Sequence, residues 1–322
     1  MKVTKLMMLA AAILGLAACS SEEDAMDNST PVAIQINASI AGQGLTRTTT
    51  DNATGETTWE AGDAIGIFIR YYDNGWTDEF ANKKYVTTKG DGTFTYGGTS
   101  TAIFLTNATR NYEVYAYYPA DGKEDEKEWY ITPKAVDTKV QGSRKNLDFL
   151  VADVSNISKT NLKVDFTGDN AFKHAMSQLI LKIKTDATAG LAATDVQSGD
   201  YYLSGLKHTG QHNMLDGSSY RLGDAEADWN FSSTTAGTPC EDGSDNVRTY
   251  RMILFPQDCS TNVITFKATI NSKDYICTLN PNLKTGNSYT YTINIKKLGI
   301  EVSNCTIADW TPNDMGGGDA TM

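Results

Sequence analysis

The feature that most restricts the fold of this sequence is a succession of short apolar runs divided by turn residues. In residues 32–40, apolar side chains occupy every second position, which is the period of a strand with one buried face. Residues 65–69 are apolar apart from Gly66, as in a central strand covered on both faces. Because few stretches show a helical period, the pattern predicts an all-β protein built of β-sandwiches.

Further strands are predicted in both halves of the chain, where apolar and β-branched residues stand between turn residues. They are expected at residues 84–88, 93–96, 112–118, 162–166, 172–183, 201–206, 250–255, 263–270, 275–279 and 288–295, with a short buried element at 146–152. Gly66, inside the apolar run 65–69, predicts a close approach of another backbone segment. Near the end, the apolar residues change from even positions, Ile300 and Val302, to odd positions, Cys305 and Ile307. Because alternate residues of a strand face opposite sides, we expect a bulge or a passage between sheets near residue 303.

The length and composition of the chain suit two folded domains. Of 322 residues, 40% are hydrophobic, and the strand pattern lapses between residues 153 and 161. We therefore expect an N-terminal β-sandwich domain at 32–158, with a first strand at 32–40 and a linker at 41–58. A C-terminal β-sandwich domain is expected at 159–322, with a flexible tail at 311–322. Since 39 acidic residues outnumber 28 basic ones, for a net charge of −11, no nucleic-acid partner is expected.

The N-terminal residues have the pattern of an export signal. Lys2 and Lys5 form a basic region before an apolar run at residues 6–18. This run is too short to span a bilayer, and it leads into Leu16-Ala17-Ala18-Cys19. This tetrapeptide resembles the bacterial lipobox. The resemblance implies a signal peptide at 1–18, cleavage between Ala18 and Cys19, and lipidation of Cys19, whose acyl chains would anchor the protein. An ordinary signal peptide followed by a chance cysteine is the alternative.

An acidic segment follows Cys19 directly. It consists of Ser20, Ser21, Glu22, Glu23 and Asp24. In lipoproteins of Bacteroidota, a serine and acidic residues at this place resemble the signal for transfer to the outer face of the outer membrane. The same residues also suit a solvated, lipid-anchored tether at 19–31, and the two interpretations are compatible.

Several motifs follow one another along nearly the whole chain. After the lipobox and the first strand they are Trp59-x-x-Gly62-Asp63-x-Ile65-Gly66, Tyr117-Tyr118-Pro119, Phe172-x-His174-x-Met176-Ser177-Gln178-Leu179, Leu254-Phe255-Pro256-Gln257, Gly286-x-x-Tyr289-x-Tyr291 and Ile307-x-Asp309-Trp310. In this order they resemble the fimbrillin (Mfa-like) family of Bacteroidota. The resemblance implies two transthyretin-like β-sandwich domains in tandem, in a type V pilus subunit that is exported as a lipoprotein and supports adhesion.

The resemblance also implies a mode of assembly. An Arg-specific protease would cut after Arg47 in the linker and release the first strand, and a strand from a neighbouring subunit would take its place. The partners would be other fimbrial subunits or further copies of this chain. The protein would reside in the outer membrane, exposed at the surface, and then in the fimbrium. An ordinary surface arginine is the alternative interpretation of Arg47.

The residues of the first strand supply a physical basis for this exchange. Its predicted apolar face comprises Val32, Ile34, Ile36, Ala38 and Ile40. Removing such a strand would leave an apolar groove and two unpaired edges, which favour the addition of another strand. Because burying an aliphatic side chain contributes about 1.5–3 kcal/mol, the face as a whole is sufficient to drive exchange.

The role within the family stays open between stalk, tip, anchor and non-polymerising lipoprotein. Residues 299–307 could serve as a donor strand, although the tail after Trp310 is short and rich in glycine. The alternative function is a surface lipoprotein that binds glycan through exposed aromatic side chains. Tyrosines that could stack on sugars, or belong to the core, are Tyr71, Tyr72, Tyr115, Tyr117, Tyr118, Tyr201 and Tyr202.

Catalytic and metal-binding patterns receive little support. His208 and His212 have a metal-like spacing but no accompanying acidic ligand, so we expect no metal site and no cofactor. His174 lies among apolar residues and is expected to be a packed, hydrogen-bonded core histidine. Without a nucleophile elbow or a phosphate-binding loop in the sequence, no enzymatic activity is expected.

Four cysteines follow Cys19, all in the predicted C-terminal domain. They are Cys240, Cys259, Cys277 and Cys305. In an exported protein they could form two disulfides in three pairings. Because Cys277 shares a strand face with Tyr275 and Leu279, buried free thiols are the alternative.

Overall fold

The computed structural model describes residues 31–41, 58–97, 102–121, 130–131, 137–142, 144–185, 190–214, 216–220, 222–233, 240–244, 247–259, 263–296, 299–303 and 305–310, with the backbone alone at 130–131, 144, 220 and 240–244. Val32–Met322 forms one compact unit. No helix among these residues has the length and apolar character needed to cross a membrane.

Strands make up nearly all of the regular structure, which confirms the all-β prediction. The strands are β1 (Gln35–Ala38), β2 (Ala64–Tyr72), β3 (Trp76–Val86), β4 (Thr93–Tyr96), β5 (Tyr112–Tyr118), β6 (Tyr130–Ile131), β7 (Leu150–Ile157), β8 (Lys163–Phe166), β9 (Lys173–His174), β10 (Ser177–Lys184), β11 (Asp200–Ser204), β12 (Gln211–Asn213), β13 (Ser219–Tyr220), β14 (Trp229–Asn230), β15 (Cys240–Ser244), β16 (Val247–Leu254), β17 (Gln257–Asp258), β18 (Ile264–Ile270), β19 (Lys273–Leu279), β20 (Asn282–Leu283), β21 (Asn287–Lys296), β22 (Gly299–Val302) and β23 (Thr306–Asp309). The helices α1 (Arg144–Leu147) and α2 (Ala193–Gln197) and a 3₁₀ turn at Gly168–Asn170 are short.

The first half of the chain forms a sheet in the order β8-β1-β4-β3-β2-β5-β7-β9. Side chains from β1 and β8 pack together with those of β2 and β5, so the curved sheet encloses an apolar interior between its two ends. This first core includes Ile34, Ile36, Ala38, Ile40, Ile65, Ile67, Ile69, Phe94, Val114, Val164, Phe166 and Phe172. The alternation of apolar residues in these strands therefore places one face of each strand inside.

The second half contains a sheet in the order β15-β16-β10-β21-β22, with β23 also paired to β21, and a facing sheet in the order β14-β11-β18-β19. Alternate side chains of both sheets form the second core, as in a β-sandwich. This core includes Leu179, Leu181, Ile183, Tyr201, Leu203, Tyr250, Met252, Ile264, Phe266, Ile293 and Ile295. Two smaller sheets, β13-β12-β6 and β17-β20, complete the topology.

A third apolar cluster connects the two halves. The joint cluster consists of Phe68, Ala81, Tyr117, Leu147, Phe149, Ala175, Met176, Met214, Ile253, Phe255 and Trp310. Phe68 and Tyr117 project from β2 and β5 on the side opposite the first core, which confirms that β2 is covered on both faces. The joint cluster explains why Val32–Met322 is one compact unit.

The predicted boundary at residue 158 falls within the first half of the structure. β8 pairs in parallel with β1, and Val164, Phe166 and Phe172 belong to the first core. A division at 158 would separate β8 from its partner, because the chain returns to β1 only after a turn at 158–161. The two-domain division stays a prediction, and core membership changes between Phe172 and Leu179.

Several predicted strands have different limits in the structure. β3 begins at Trp76 rather than at residue 84, and β7 continues to Ile157 through polar residues that suggested a domain boundary. The predicted strand at 172–183 is divided into β9 and β10, and the element at 146–152 is the end of α1 followed by β7. Polar side chains do not interrupt β3 and β7, because most of them are at least partly exposed and the buried Asn82 of β3 accepts a hydrogen bond from Tyr117.

The predicted change of parity near residue 303 is confirmed as a bulge. Ile293 is opposite Val302, whereas Thr290 is opposite Thr306, so the terminal strand contains one extra residue relative to β21. Because both β22 and β23 pair with β21, the chain stays in the same sheet.

Gly66 yields a test of packing in the centre of β2. A Cβ atom there would lie 2.1 Å from Tyr117 Cε1 and 2.7 Å from Asn82 Oδ1. Tyr117 cannot yield easily, because its hydroxyl donates to Asn82 Oδ1 at 2.7 Å. We expect Gly66→Ala to lower the free energy of unfolding by about 1–3 kcal/mol, measured by urea denaturation.

Gly97→Ala is the matched control, since a Cβ at Gly97 meets nothing within 4 Å. It should change the free energy of unfolding by less than about 0.5 kcal/mol. Equal stability of the two variants would contradict the close approach at Gly66.

Candidate functional site

The predicted first strand lies in the interior of its sheet. β1 pairs in parallel with β8 on one side, from Gln35 opposite Lys163 to Ala38 opposite Phe166. On the other side it pairs antiparallel with β4, where Ile36 is opposite Phe94. The pairing with the first half continues to Ile40, which bridges to Phe172. A strand with two neighbours satisfies its backbone donors and acceptors on both sides.

The side chains of this segment largely occupy the predicted face. Ile34, Ile36, Ala38 and Ile40 are buried in the first core. Val32, predicted to share that face, is instead 58% exposed. The prediction was wrong at Val32 because the segment enters the sheet only at Ile34, whose amide donates to the Ile103 carbonyl at 3.0 Å.

Trp59 holds the end of β1. Its indole Nε1 donates to the Ala38 carbonyl at 3.0 Å. Its ring meets Phe94, Tyr118 and Phe172 edge to face, with centroids 5.1–5.3 Å apart. Trp59 follows the predicted linker, so the residue that caps the strand would stay with the body after a cut in that linker.

The backbone of the turn at Gly92 also lies close to β1. The Ala38 amide donates to the Gly92 carbonyl at 2.8 Å, and a Cβ at Gly92 would lie 2.2 Å from the Ala38 carbonyl oxygen. Gly92 also has a φ of +81°, which favours glycine. β1 therefore lies in a groove that accepts an extended chain and excludes side chains at this point.

The geometry of the groove defines what it can do. If β1 left, β8 and β4 would each expose an unpaired edge, and the apolar side chains of the first core would meet water. An extended segment with alternating apolar residues could restore both ladders. In this structure, backbone groups and apolar side chains of the groove hold the chain's own strand β1.

The processing and anchoring residues predicted from the sequence lie outside the described residues. These are Ala18, Cys19, Ser20, Ser21, Glu22, Glu23, Asp24 and Arg47. Ala41 and Thr58 are the described residues on either side of the linker, and the Ala41 amide donates to the Phe172 carbonyl at 2.7 Å.

The C-terminal strand ends at the joint cluster. β22 and β23 pair antiparallel with β21, and Ile307 is 58% exposed. Trp310 then enters the interior, where its ring stacks on His174 with centroids 4.0 Å apart. The Trp310 amide donates to the Gly286 carbonyl at 2.6 Å, and the Gly286 amide to the Met176 carbonyl at 2.8 Å. Three separate sequence motifs thus meet at one place.

His174 is a packed, hydrogen-bonded core histidine, as predicted. Its Nδ1 lies 2.7 Å from Asp148 Oδ1, and both side chains are buried. Asp148, the partner of His174, was not predicted from the sequence. A single carboxylate inside the apolar run 147–152 was the available signal, because a buried acid requires a partner.

His208 and His212 occupy separate environments. His208 Nδ1 lies 2.8 Å from Thr138 Oγ1, whereas His212 stacks between Phe149 and Phe255. Both are buried in the interior rather than in an open loop, and burial lowers the pKa of each to about 4. Among the described residues no group of three or more potential ligands is placed to hold a metal.

The cysteines of the second half carry free thiols where their side chains are described. Cys259 is buried, Cys277 and Cys305 are half-buried, and none of these three is in a disulfide. The predicted pairings among these three are therefore not formed. Burial raises the pKa of Cys259 and of Cys277 to about 11, so both thiols are protonated at neutral pH. The side chain of Cys240 lies outside the described residues.

The tyrosines divide between core and surface. Tyr117, Tyr118 and Tyr201 are buried, and Tyr71, Tyr115 and Tyr202 are half-buried. Tyr72 is 68% exposed and faces Trp76, which is 51% exposed and was not predicted as a site residue. The alternation in β2 and β3 could have indicated Trp76 only if the limits of β3 had been predicted correctly.

The chain is similar to one family of known proteins and to several solved structures with the same kind of fold. Residues 46–310 match the family described as Fimbrillin-like. The chain is 30% identical over 284 residues to Fim1C of Bacteroides uniformis, named as a candidate fimbrium subunit, covering 81% of each chain. Crystal structures of candidate cell adhesion proteins from Bacteroides uniformis and Bacteroides ovatus are similar in fold. Their TM-scores are 0.63 and 0.65 at 24% and 23% identity, with 89% of this chain and 100% of theirs covered.

The buried histidines predict a pH-dependent stability. Because the pKa of His212 is about 4 when folded and near 6.5 when unfolded, the unfolded chain binds more protons between these values. The contribution of neutral His212 to the free energy of unfolding is fully present above pH 6.5 and is lost as the pH falls toward 4. We expect His212→Phe, which keeps an aromatic ring between Phe149 and Phe255, to reduce the loss at pH 4 by about 3 kcal/mol.

Urea denaturation at pH 7, 6, 5 and 4 measures this difference. Gly97→Ala, at an open surface position, should retain the pH dependence of the unsubstituted protein. An unchanged pH dependence in His212→Phe would contradict a neutral, buried His212.

Proposed function

Because the chain belongs to the fimbrillin-like family, we propose that it is a structural subunit or accessory component of a surface fimbria, or type V pilus, that supports adhesion. In this proposal it is exported as a lipoprotein and assembled by cleavage in the linker followed by donor-strand exchange. The observation that carries the proposal is the position of β1, an interior strand inserted between β8 and β4 and followed by the predicted linker.

The energetics of β1 support exchange rather than simple loss. Three buried isoleucines, Ile34, Ile36 and Ile40, contribute about 4.5–9 kcal/mol in total at about 1.5–3 kcal/mol each. Because ordinary domains have a net stability of only about 5–15 kcal/mol, an empty groove would remove a large share of the stability of the body. A cut therefore leaves β1 in place until another strand displaces it.

The groove specifies the strand that it can receive. An incoming strand must run parallel to β8 and antiparallel to β4, and it must place a backbone carbonyl opposite the indole of Trp59. Residues 299–307 of a second copy are the proposed source within this chain, since they carry Ile300 and Val302 at alternate positions. The bulge near residue 303 would have to straighten for pairing over the full length.

The anchor belongs to the same proposal. Lipidation of Cys19 would hold the unprocessed subunit in the outer membrane, and residues 20–24 would direct it to the cell surface. Cleavage at Arg47 would then cut the covalent link between the body and the fragment that carries both the anchor and β1. Strand exchange would release that fragment and convert a membrane-bound precursor into a polymerising subunit.

Limited trypsin digestion tests the assembly step. We expect a chain without residues 1–19 to be cut after Arg47 and then to form an SDS-resistant ladder on an unboiled gel. Arg47→Ala is the matched control and should remain monomeric under the same digestion. Monomer alone, after complete cleavage at Arg47 verified by mass spectrometry, would contradict strand exchange.

A reversible cross-link separates cleavage from exchange. Asn37 in β1 and Thr93 in β4 are directly opposite each other, with half-buried and exposed side chains. In Asn37→Cys/Thr93→Cys, an oxidised disulfide would hold β1 in the groove after the cut. The ladder should be absent when this protein is oxidised and return on reduction. A ladder that forms equally in both states would exclude β1 as the exchanged strand.

Metabolic labelling tests the anchor. Cells that express the full chain should incorporate radioactive palmitate into it, and Cys19→Ala should abolish the label because the acceptor thiol is lost. Cys259→Ala is the control and should keep the label, since its thiol is buried. Labelling that persists in Cys19→Ala would contradict lipidation at Cys19.

A further inference from the structure

A cleft of about 570 Å³ lies at one end of the first sheet. It is formed by the β2–β3 hairpin, the loop before β5 and the end of β7. Its volume is within the roughly 300–1,000 Å³ range of small-molecule sites. Its lining residues come from segments 71–76, 107–113 and 155–156, whereas β1 contributes none of them.

The hairpin supplies an aromatic wall to this cleft. Tyr72 and Trp76 are directly opposite each other, with ring centroids 5.4 Å apart, and both are more than half exposed. Exposed aromatic rings in a cleft lose little on desolvation and offer flat apolar faces to a ligand.

The orientation of Trp76 is fixed by a charged network behind it. The Arg70 guanidinium lies 3.9 Å from the centroid of the Trp76 ring. Arg70 is itself held by Glu113 at 2.9 Å and by the hydroxyl of Tyr115. A ring supported on one side in this way is preorganised, which reduces the entropy lost on binding.

The opposite wall offers neutral hydrogen-bonding groups. Asn111, Ser155 and Asn156 line the cleft and are exposed. A bulge in β7 opposite β5 places Ser155 and Asn156 there, and Asn156 has a φ of +63°, a conformation rare for residues other than glycine. Bulges occur preferentially next to functional sites, where they redirect side chains.

The charges of the cleft restrict the class of ligand. Arg110 lies 3.8 Å from the centroid of Tyr71 and is paired with Glu79 at 3.3 Å, and Arg70 is paired with Glu113. Since both guanidinium groups are neutralised and Asp73 adds a negative charge, the cleft disfavours a phosphate or a carboxylate.

We propose that this cleft binds a neutral oligosaccharide, with sugar rings stacked on the separate faces of Trp76 and Tyr72, which stand at 75° to each other. Hydroxyl groups of the sugar would bond to Asn111, Ser155 and Asn156. A pyranose ring presents a face of C–H groups to an aromatic ring and a rim of hydroxyl groups to polar side chains, which matches the two walls. The binding site is independent of strand exchange, so an assembled fimbria would present one such site for each subunit.

A glycan array printed with neutral and sialylated oligosaccharides tests the inference, using the chain without residues 1–19. We expect binding to neutral members of the array. For the strongest of them, Trp76→Ala and Tyr72→Ala should each weaken affinity about tenfold or more by calorimetry, because each removes a stacking face. Tyr96→Ala is the matched control, since Tyr96 is a 41% exposed tyrosine on β4 that is not a lining residue.

The thermal unfolding midpoint establishes that each variant is folded, and the trypsin ladder separates binding from assembly. Trp76→Ala should form the same ladder as the unsubstituted protein while losing affinity for the glycan. Absence of binding to any neutral glycan by the folded protein would overturn the inference. So would equal affinity in Trp76→Ala, or binding confined to sialylated glycans.

Discussion

The pairing of β1 with both β8 and β4 is the interaction on which the first half of the molecule depends. β8 and β4 are far apart in the sequence, and β1 is the strand that joins their edges. The same strand fills the first core with Ile34, Ile36 and Ile40 and supplies the carbonyl that Trp59 binds. A segment of four paired residues thus joins β8 to the other six strands of the sheet, and the proposed assembly mechanism acts on this segment.

The joint cluster has a corresponding role for the rest of the chain. Trp310 follows the last strand, stacks on His174 and is bonded through Gly286 to Met176. The end of the chain is thereby tied to the place where both halves meet. The cleft proposed to bind carbohydrate is lined by no residue of this cluster or of β1, so the proposed adhesion and assembly would use different surfaces of one subunit.

The local pattern of apolar and polar residues predicted those features that depend on a strand's own residues. Alternation identified the buried face of β1 from Ile34 to Ile40, the apolar run identified β2 as a central strand, and the change of parity identified the bulge near residue 303. It failed where neighbours decide the outcome. Val32 is apolar but precedes the sheet, and Trp76 begins a strand whose outer residues are polar, so neither position was evident from its sequence context.

The sequence by itself determined the class of fold, because a strand's period of two is a property of the covalent chain and needs no partner. Only the tertiary structure decided which strands pair, since the partners are distant. Asn37 bonds to Asp165, 128 residues away, at 3.0 Å. The position of β1 between two strands, the contact of Trp310 with His174, and the meeting of three loops at the cleft all arise from such long-range pairing, which no local period encodes.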